Sequence, residues 1–325
     1  MTALTRRTLL ASLSATALTP RRAFAAWPER NITMIHGLAP GGGVDVTARI
    51  VAEGLSKRLG QQVVVESKAG AGGTIAAAQI ARAAPDGYTL GFVPSSHAIS
   101  AAMYKSLPYN PVDDFTFIGQ AIEFPFVMVT HAEHPIKTMP DLIKAAKASA
   151  TPLLCGTPGQ GSSQHLLIEH ISRLAGIRVQ PVPFRGGALA LTELLGKRID
   201  FLIDPPIALL ENIRGGKLHA IAVTGPTRFA ALPAVATIAE AGFPGFAVTS
   251  WMGVIAPAKL PDPIVVRLNA EIAALVAEPV VAERIRALGS EPAPGRPDQF
   301  RTRVAGDIAR WNKVVADAGI ERIGS

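Results

Sequence analysis

The sequence predicts an α/β protein of two compact lobes built on parallel sheets, and three observations carry that reading. Short β-branched runs alternate with helix-period segments. Glycine-rich corners fall where the strand-like runs give way to the helix-like ones. A chain of 325 residues with 48% hydrophobic and 18% charged residues can bury more core than one small domain requires.

The first 25 residues stand apart from that pattern. Met1 to Arg7 is a basic segment, Thr8 to Leu18 a short apolar one, and Ala23-Phe24-Ala25 a small-x-small cleavage site. The apolar run is too short to remain as a membrane anchor. Thr5-Arg6-Arg7-Thr8-Leu9-Leu10 is similar to a twin-arginine signal, and Arg21-Arg22 before the cleavage site suits that route better than the general secretory one. The expectation is a cleavable signal peptide at 1–25 and a periplasmic location. The segment also holds four of the 32 basic residues and no acid, which leaves 28 basic against 25 acidic residues in the remainder. A charge of that size makes no basic patch, so nucleic acid is not an expected partner. Cys155 is the single cysteine, so no intrachain disulfide can form, and stability must come from the core.

Along the remaining chain the expected strands are Ile32 to His36, Gln62 to Glu66, Thr89 to Val93, Phe126 to Thr130, Leu153 to Gly156, Val179 to Val182, Phe201 to Asp204 and Ala220 to Thr224. Val44, Ala48, Val51, Leu55 and Leu59 mark the buried face of a helix after the first strand. Leu167, Ile171 and Leu174 mark another after Ser162-Ser163. Pro257 to Pro263 is a rigid turn into a helical final third that ends with Asp298 to Ala318. In open α/β sheets ligands sit beyond the carboxyl ends of strands, and two loops occupy such places.

The first loop, Ala39-Pro-Gly-Gly-Gly-Val-Asp45, lacks the Gly-Lys-Ser/Thr ending of a nucleotide phosphate loop. It also has Val46 where a dinucleotide-binding loop has its third glycine. Asp45 in the first helical turn would repel a phosphate, suits the helix dipole, and could pair with a cation. The second loop, Thr157-Pro-Gly-Gln-Gly-Ser-Ser163, repeats the construction: glycine N–H groups, hydroxyls and a helix N-terminus without bulk. Such an end favours an anion by roughly 0.3–1 kcal/mol, more when partly buried. Glycines also turn tight corners for no other purpose, and Ser162 would serve as an ordinary N-cap.

Other polar residues carry less. His131 and His134 have no cysteine or carboxylate cluster beside them and read as loop histidines. Ser162 with His165 suggests a hydrolase, but there is no Gly-x-Ser-x-Gly elbow and no third member. Tyr88, Phe184 and Trp251 read as core or wall aromatics, with Trp251 the best placed for a cleft, and Cys155 as a small buried hydrophobe beneath the second loop.

The motifs taken in order are Trp27-Pro-Glu-Arg30, Ala39-Pro-Gly-Gly-Gly-Val-Asp45, Gly70-Ala-Gly-Gly73, Ala84-Pro-Asp-Gly-Tyr-Thr-Leu90, Gly159-Gln-Gly-Ser-Ser-Gln-His165, Val182-Pro-Phe-Arg-Gly186, Leu232-Pro233 and Thr237-Ile-Ala-Glu-Ala-Gly242. Over essentially the whole chain after the leader this resembles the tripartite tricarboxylate transporter receptors, the extracytoplasmic solute-binding proteins also called Bug proteins. The resemblance implies a two-lobed periplasmic-binding-protein fold of type II, a Venus flytrap that closes on a small organic acid. One lobe would be residues 26–125 with 247–325, the other 126–246. It also implies that the carboxylate is held by backbone N–H groups, hydroxyls and water. By motif, Ala39, Gly41, Gly42 and Asp45 would form the first cradle and Thr157, Gly161, Ser162 and Ser163 the second. Ser95, Ser96 and Asp204, at strand ends, are added as cleft candidates.

His36-Gly37-Leu38, Ser67, Ala69 and Thr157-Pro158 depart from the family's usual residues and bear on which acid is bound. The expected partners are the acid and the large and small subunits of a membrane permease. The protein itself is expected to act as a monomer without metal, cofactor or catalytic residue. A sensor delivering to a membrane kinase, or a small-ester hydrolase, are the alternative readings.

Overall fold

The computed structural model describes residues 27–324, so the expected signal peptide, with Arg6 and Arg7, lies outside the described residues. In chain order the first lobe begins with β1 (Ile32–His36), α1 (Gly43–Leu59), β2 (Val63–Ser67), α2 (Thr74–Ala81), β3 (Thr89–Pro94), α3 (Ser96–Met103) and β4 (Phe115–Pro125). The second lobe follows with β5 (Val127–His131), α4 (Met139–Ala148), β6 (Leu153–Thr157), α5 (Ser163–Ala175), β7 (Val179–Pro183), α6 (Gly187–Leu195), β8 (Phe201–Asp204), α7 (Pro206–Arg214) and β9 (Leu218–Val223). The chain then returns through β10 (Thr249–Pro257), α8 (Asp262–Ala277), α9 (Pro279–Ala287), β11 (Glu291–Pro292) and α10 (Pro297–Ala318).

The strands form a six-stranded sheet ordered β11-β4-β10-β3-β1-β2 and a five-stranded sheet ordered β7-β6-β8-β5-β9. Neither is wholly parallel, which corrects the expectation. β10 runs antiparallel to β3 and β4, and β5 antiparallel to β8 and β9. The reason lies in the crossings: β5 and β10 are the first strands after the chain changes sheets, and each enters against its neighbours. β4 and β10 have no period-two pattern because both are buried almost throughout. Continuous apolar runs interrupted by Gly119, Gln120 and Gly253 do not distinguish a strand from a core segment.

The helix faces follow the apolar spacing. Val44, Ala48, Val51, Leu55 and Leu59 of α1 are buried, as are Leu167 and Ile171 of α5, whereas Leu174 is 48% exposed. Each fully buried side chain of this kind stabilises by about 1.5–3 kcal/mol relative to an exposed one. α10 packs against α3 and β4 of the first lobe and also reaches α5 of the second, so one continuous core runs through both lobes. Trp251 belongs to that core and not to a cleft wall. It is fully buried, meets Phe300 edge-on at 5.0 Å, and donates its indole N–H to Asp307 at 2.8 Å.

The two crossings are fastened to each other at Thr224. Its hydroxyl accepts from the Phe126 N–H at 2.9 Å and donates to the Val248 carbonyl at 2.7 Å. Its own N–H donates to the Phe126 carbonyl at 3.0 Å. The Phe126 N–H and carbonyl and the Val248 carbonyl thus find partners within the protein where the strands leave their sheets, and the two crossings are tied together at this residue.

Candidate functional site

Both glycine loops are folded by the same device. In the first, Gly41 takes a left-handed backbone (φ +78°) and donates its N–H to Asp45 Oδ2 at 2.9 Å. In the second, Gly161 takes the same conformation (φ +72°) and donates its N–H to His165 Nδ1 at 2.8 Å. Asp45 and His165 each hold the third position of a helix, α1 and α5, and each reaches back four residues. A β-carbon at either glycine would strain a backbone that only glycine adopts freely. What remains in each loop is the first turn of a helix, whose leading N–H groups have no acceptor inside the helix.

Asp45 is buried and fully engaged. Besides Gly41 it accepts from Arg49 Nε at 3.0 Å and lies 2.9 Å from His36 Nε2. A carboxylate brings no proton, and His36 Nδ1 receives the Leu38 N–H at 3.4 Å, so His36 carries its proton on Nε2 and donates it to Asp45. The Arg49 guanidinium first, then the Gly41 N–H, hold the Asp45 carboxyl well below the usual carboxylate range. This side chain shapes the loop from behind.

The two loops border a cavity of about 380 Å³ between the lobes. From the first lobe come Leu38, Ala39, Gly42, Gly43, Val44 and Thr47 around α1, Pro94, Ser95 and Ser96 at the start of α3, and Phe124, Ser250, Met252, Leu288 and Ser290, with Phe126 added at the crossing between the lobes. The second lobe contributes Ser163 and Gln164 at the start of α5 and Pro205, Pro206 and Ile207 at the start of α7. Four helix N-termini therefore open onto one space, and those of α1, α3 and α5 present N–H groups in an arrangement suited to an anion. None of these wall residues is charged or titratable.

Of the residues singled out in the sequence, Ala39, Gly42, Ser95, Ser96 and Ser163 lie on the cavity wall. Ser95, at the cap of α3, and Ser250, in β10, share a hydrogen bond at 2.7 Å within the first lobe. Gly41, Asp45 and Gly161 are in the loop-folding device just described. Ser162 is the N-cap of α5, its hydroxyl accepting from the His165 N–H at 3.2 Å. Thr157 is buried at the end of β6, with its hydroxyl toward the Val182 carbonyl at 3.5 Å. Asp204 stands behind the wall and accepts from Gln164 Nε2 at 2.7 Å. Burial pushes its carboxyl up to about 6 against the pull of that hydrogen bond. Ser162 and His165 do not meet as nucleophile and base, because the imidazole Nδ1 is taken by Gly161.

Sequence reasoning did not select Gln164, Phe124, Phe126, Met252, Ser250 or the Pro205–Pro206 pair. Gln164 follows Ser163 at the second position of α5 and could have been included by helix-end logic alone. The others come from the crossings and from segments distant in sequence, which no local pattern joins.

A two-lobed fold with a cleft bordered by helix N-termini defines a periplasmic-binding-protein class, and the comparisons specify the family within it. The model of the tripartite tricarboxylate transporter family receptor matches residues 47–320. The protein BugT of Bordetella pertussis is 36% identical over 295 residues, covering 90% of this chain and 90% of that one. Among solved structures, the R. palustris protein Rpa4515 with adipate superposes with a TM-score of 0.80 at 33% identity, covering 91% of this chain and 100% of the other. MatC from Rhodopseudomonas palustris with bound malate gives 0.75 at 32% identity, covering 89% and 100%. The chain belongs to the tripartite tricarboxylate transporter receptor family, whose members are periplasmic solute-binding proteins.

Proposed function

We propose that this protein captures a small organic carboxylate between its lobes and delivers it to a membrane permease made of a large and a small subunit, without acting on it chemically. The observation that carries the reading is the duplicated loop device: two glycine corners, one per lobe, folded by Asp45 and His165 so that the first turns of α1 and α5 border one uncharged cavity. The carboxylate would take N–H groups of the Ala39–Val44 and Ser163–Gln164 turns and hydroxyls of Ser95 and Ser96. Gly41, Asp45, Gly161 and Ser162 would act by holding the loops in shape, Thr157 by seating the second loop, and Asp204 through Gln164. The relatives with adipate and malate support a carboxylate as the ligand class.

Mass spectrometry of ligand released by denaturing protein purified from the periplasm tests this. A carboxylic acid in stoichiometric amount is expected, and a ligand without a carboxylate would overturn it. We further propose export by the twin-arginine route: Arg6→Lys with Arg7→Lys should leave precursor in the cytoplasm, and normal periplasmic accumulation would assign the general secretory route instead.

A further inference from the structure

From the cavity wall we infer that the acid this receptor prefers is an aromatic monocarboxylate and not an aliphatic dicarboxylate or a hydroxy acid. The inference rests on the receptor reading and specifies its ligand. Of the four helix ends at the cavity, α1, α3 and α5 begin with small or hydroxyl-bearing residues and offer N–H groups. α7 begins Pro205-Pro206, and neither residue has an N–H to offer. That end of the cavity therefore presents two proline rings where the other helix ends present N–H groups, and its first main-chain donor is the N–H of Ile207. Leu288 continues the same wall, because the next residue, Gly289, packs directly on Pro206 and on the backbone nitrogen of Ile207.

Where the chain first crosses between the lobes Phe124 and Phe126 stand edge to face, with ring centroids 6.0 Å apart at 67°, and Met252 also lines the cavity. Ring edges, proline faces and a thioether pack favourably against an aromatic body. Among the described residues no lysine, arginine or histidine reaches the wall, so a second carboxylate would find no partner charge there and would depend on whatever N–H and hydroxyl donors it met. A ligand hydroxyl facing the proline rings or Leu288 would be left unpaired, and a hydroxy acid would gain a partner only where Ser250 or Ser290 came within reach. One carboxylate at the glycine loops and a ring against the proline wall satisfies both halves of the site.

Calorimetry and thermal shift with benzoate, phenylacetate, adipate and malate decide the matter. The wild-type protein is expected to bind an aromatic monocarboxylate at least tenfold more tightly than either dicarboxylate. Equal or tighter binding of adipate or malate overturns the aromatic preference and leaves the receptor reading standing. If none of the four acids binds or raises the melting temperature, the aromatic preference falls, and the receptor reading is decided separately by the ligand released on denaturation. Ile207→Lys, at a wall position whose residue is 45% exposed and can accept a long polar chain, supplies the missing cation. It should shift the benzoate-to-adipate affinity ratio toward adipate by about tenfold, and an unchanged ratio would overturn the claim that the uncharged wall sets the preference.

Discussion

Two buried aspartates near the cavity respond to pH in opposite directions, because one has donors and the other has little more than burial. Asp45 receives Arg49, Gly41 and His36, so its folded-state carboxyl is depressed. Its contribution is fully present above the ordinary value of 3.8 and is lost as pH falls through the lower folded value. Asp45→Asn keeps one acceptor oxygen for three donors and should cost about 1–3 kcal/mol at neutral pH. Most of that comes from Gly41 and His36, since the Arg49 side chain is largely exposed and a pair of that kind is worth about 0–1 kcal/mol. Urea unfolding at pH 7 and at pH 3 checks this: the deficit of the variant should shrink at the lower pH. Asp204 is the reverse case. Its carboxyl titrates at about 6 when folded against 3.8 when unfolded, so the native state binds the proton more tightly and stability declines as pH rises between those values. Asp204→Asn retains an acceptor for Gln164 and removes the buried charge. At pH 7.5 it should gain on the order of 2 kcal/mol, with no gain at pH 3.5. Melting curves across that range would show it, and a variant less stable at pH 7.5 would mean that the Asp204 charge is compensated by a group behind Gln164.

At the scale of elements, the parallel between the α1 and α5 loops predicts that His165 does for the second what Asp45 does for the first. His165→Ala leaves the Gly161 N–H without its acceptor, and the loop should lose its shape. Amide exchange at Gly161 is expected to accelerate and carboxylate affinity to fall by about tenfold, in line with a lost hydrogen bond of about 1–1.5 kcal/mol. His165→Asp copies the acceptor used at Asp45 and should restore slow exchange, whereas a role for the imidazole itself would leave the Asp variant as impaired as the Ala one. How far such elements were legible in the sequence follows from their locality. The glycine corners, the α1 face and the strands from Ile32 to His36 and Phe201 to Asp204 are written in neighbouring residues, and periodicity finds them. Asp45 was legible as a first-turn acid but not as the partner of His36, nine residues earlier, because nothing local shows the strand end and the helix turn facing each other. β4 and β10 escaped because burial on both faces erases alternation. The apolar half of the cavity escaped because Phe124, Met252, Pro205 and Leu288 meet only after the chain has crossed between lobes twice.

For the whole molecule the decisive contacts are those where one lobe touches the other at the cavity. Gly289, just past α9 in the first lobe, is one of them. A β-carbon there would stand 2.7 Å from the Pro206 Cβ and 3.0 Å from the Ile207 nitrogen of the second lobe, both too near for real atoms to remain in place. Gly161 of the second lobe is similarly close to Met103 of the first, but Met103 is a flexible side chain and can yield, whereas Pro206 and the Ile207 backbone cannot. Gly289→Ala should therefore act as a wedge that opposes closure more than it harms folding. Its intrinsic cost is the left-handed backbone at φ +70°, about 1–2 kcal/mol, which a melting curve of the ligand-free protein would register. Its effect on function should be larger, because a ligand held by loops on both lobes loses one set of donors when the lobes stand apart, and the closed population is reduced in proportion. Solution scattering should show the wild type contracting when a saturating carboxylate is added while Gly289→Ala stays near its ligand-free radius, with affinity lowered at least tenfold. If the wild type keeps one radius with and without ligand, the lobes do not close as a trap, and the variant's loss of affinity would have to be assigned to the distorted wall at Pro206 and Ile207 alone.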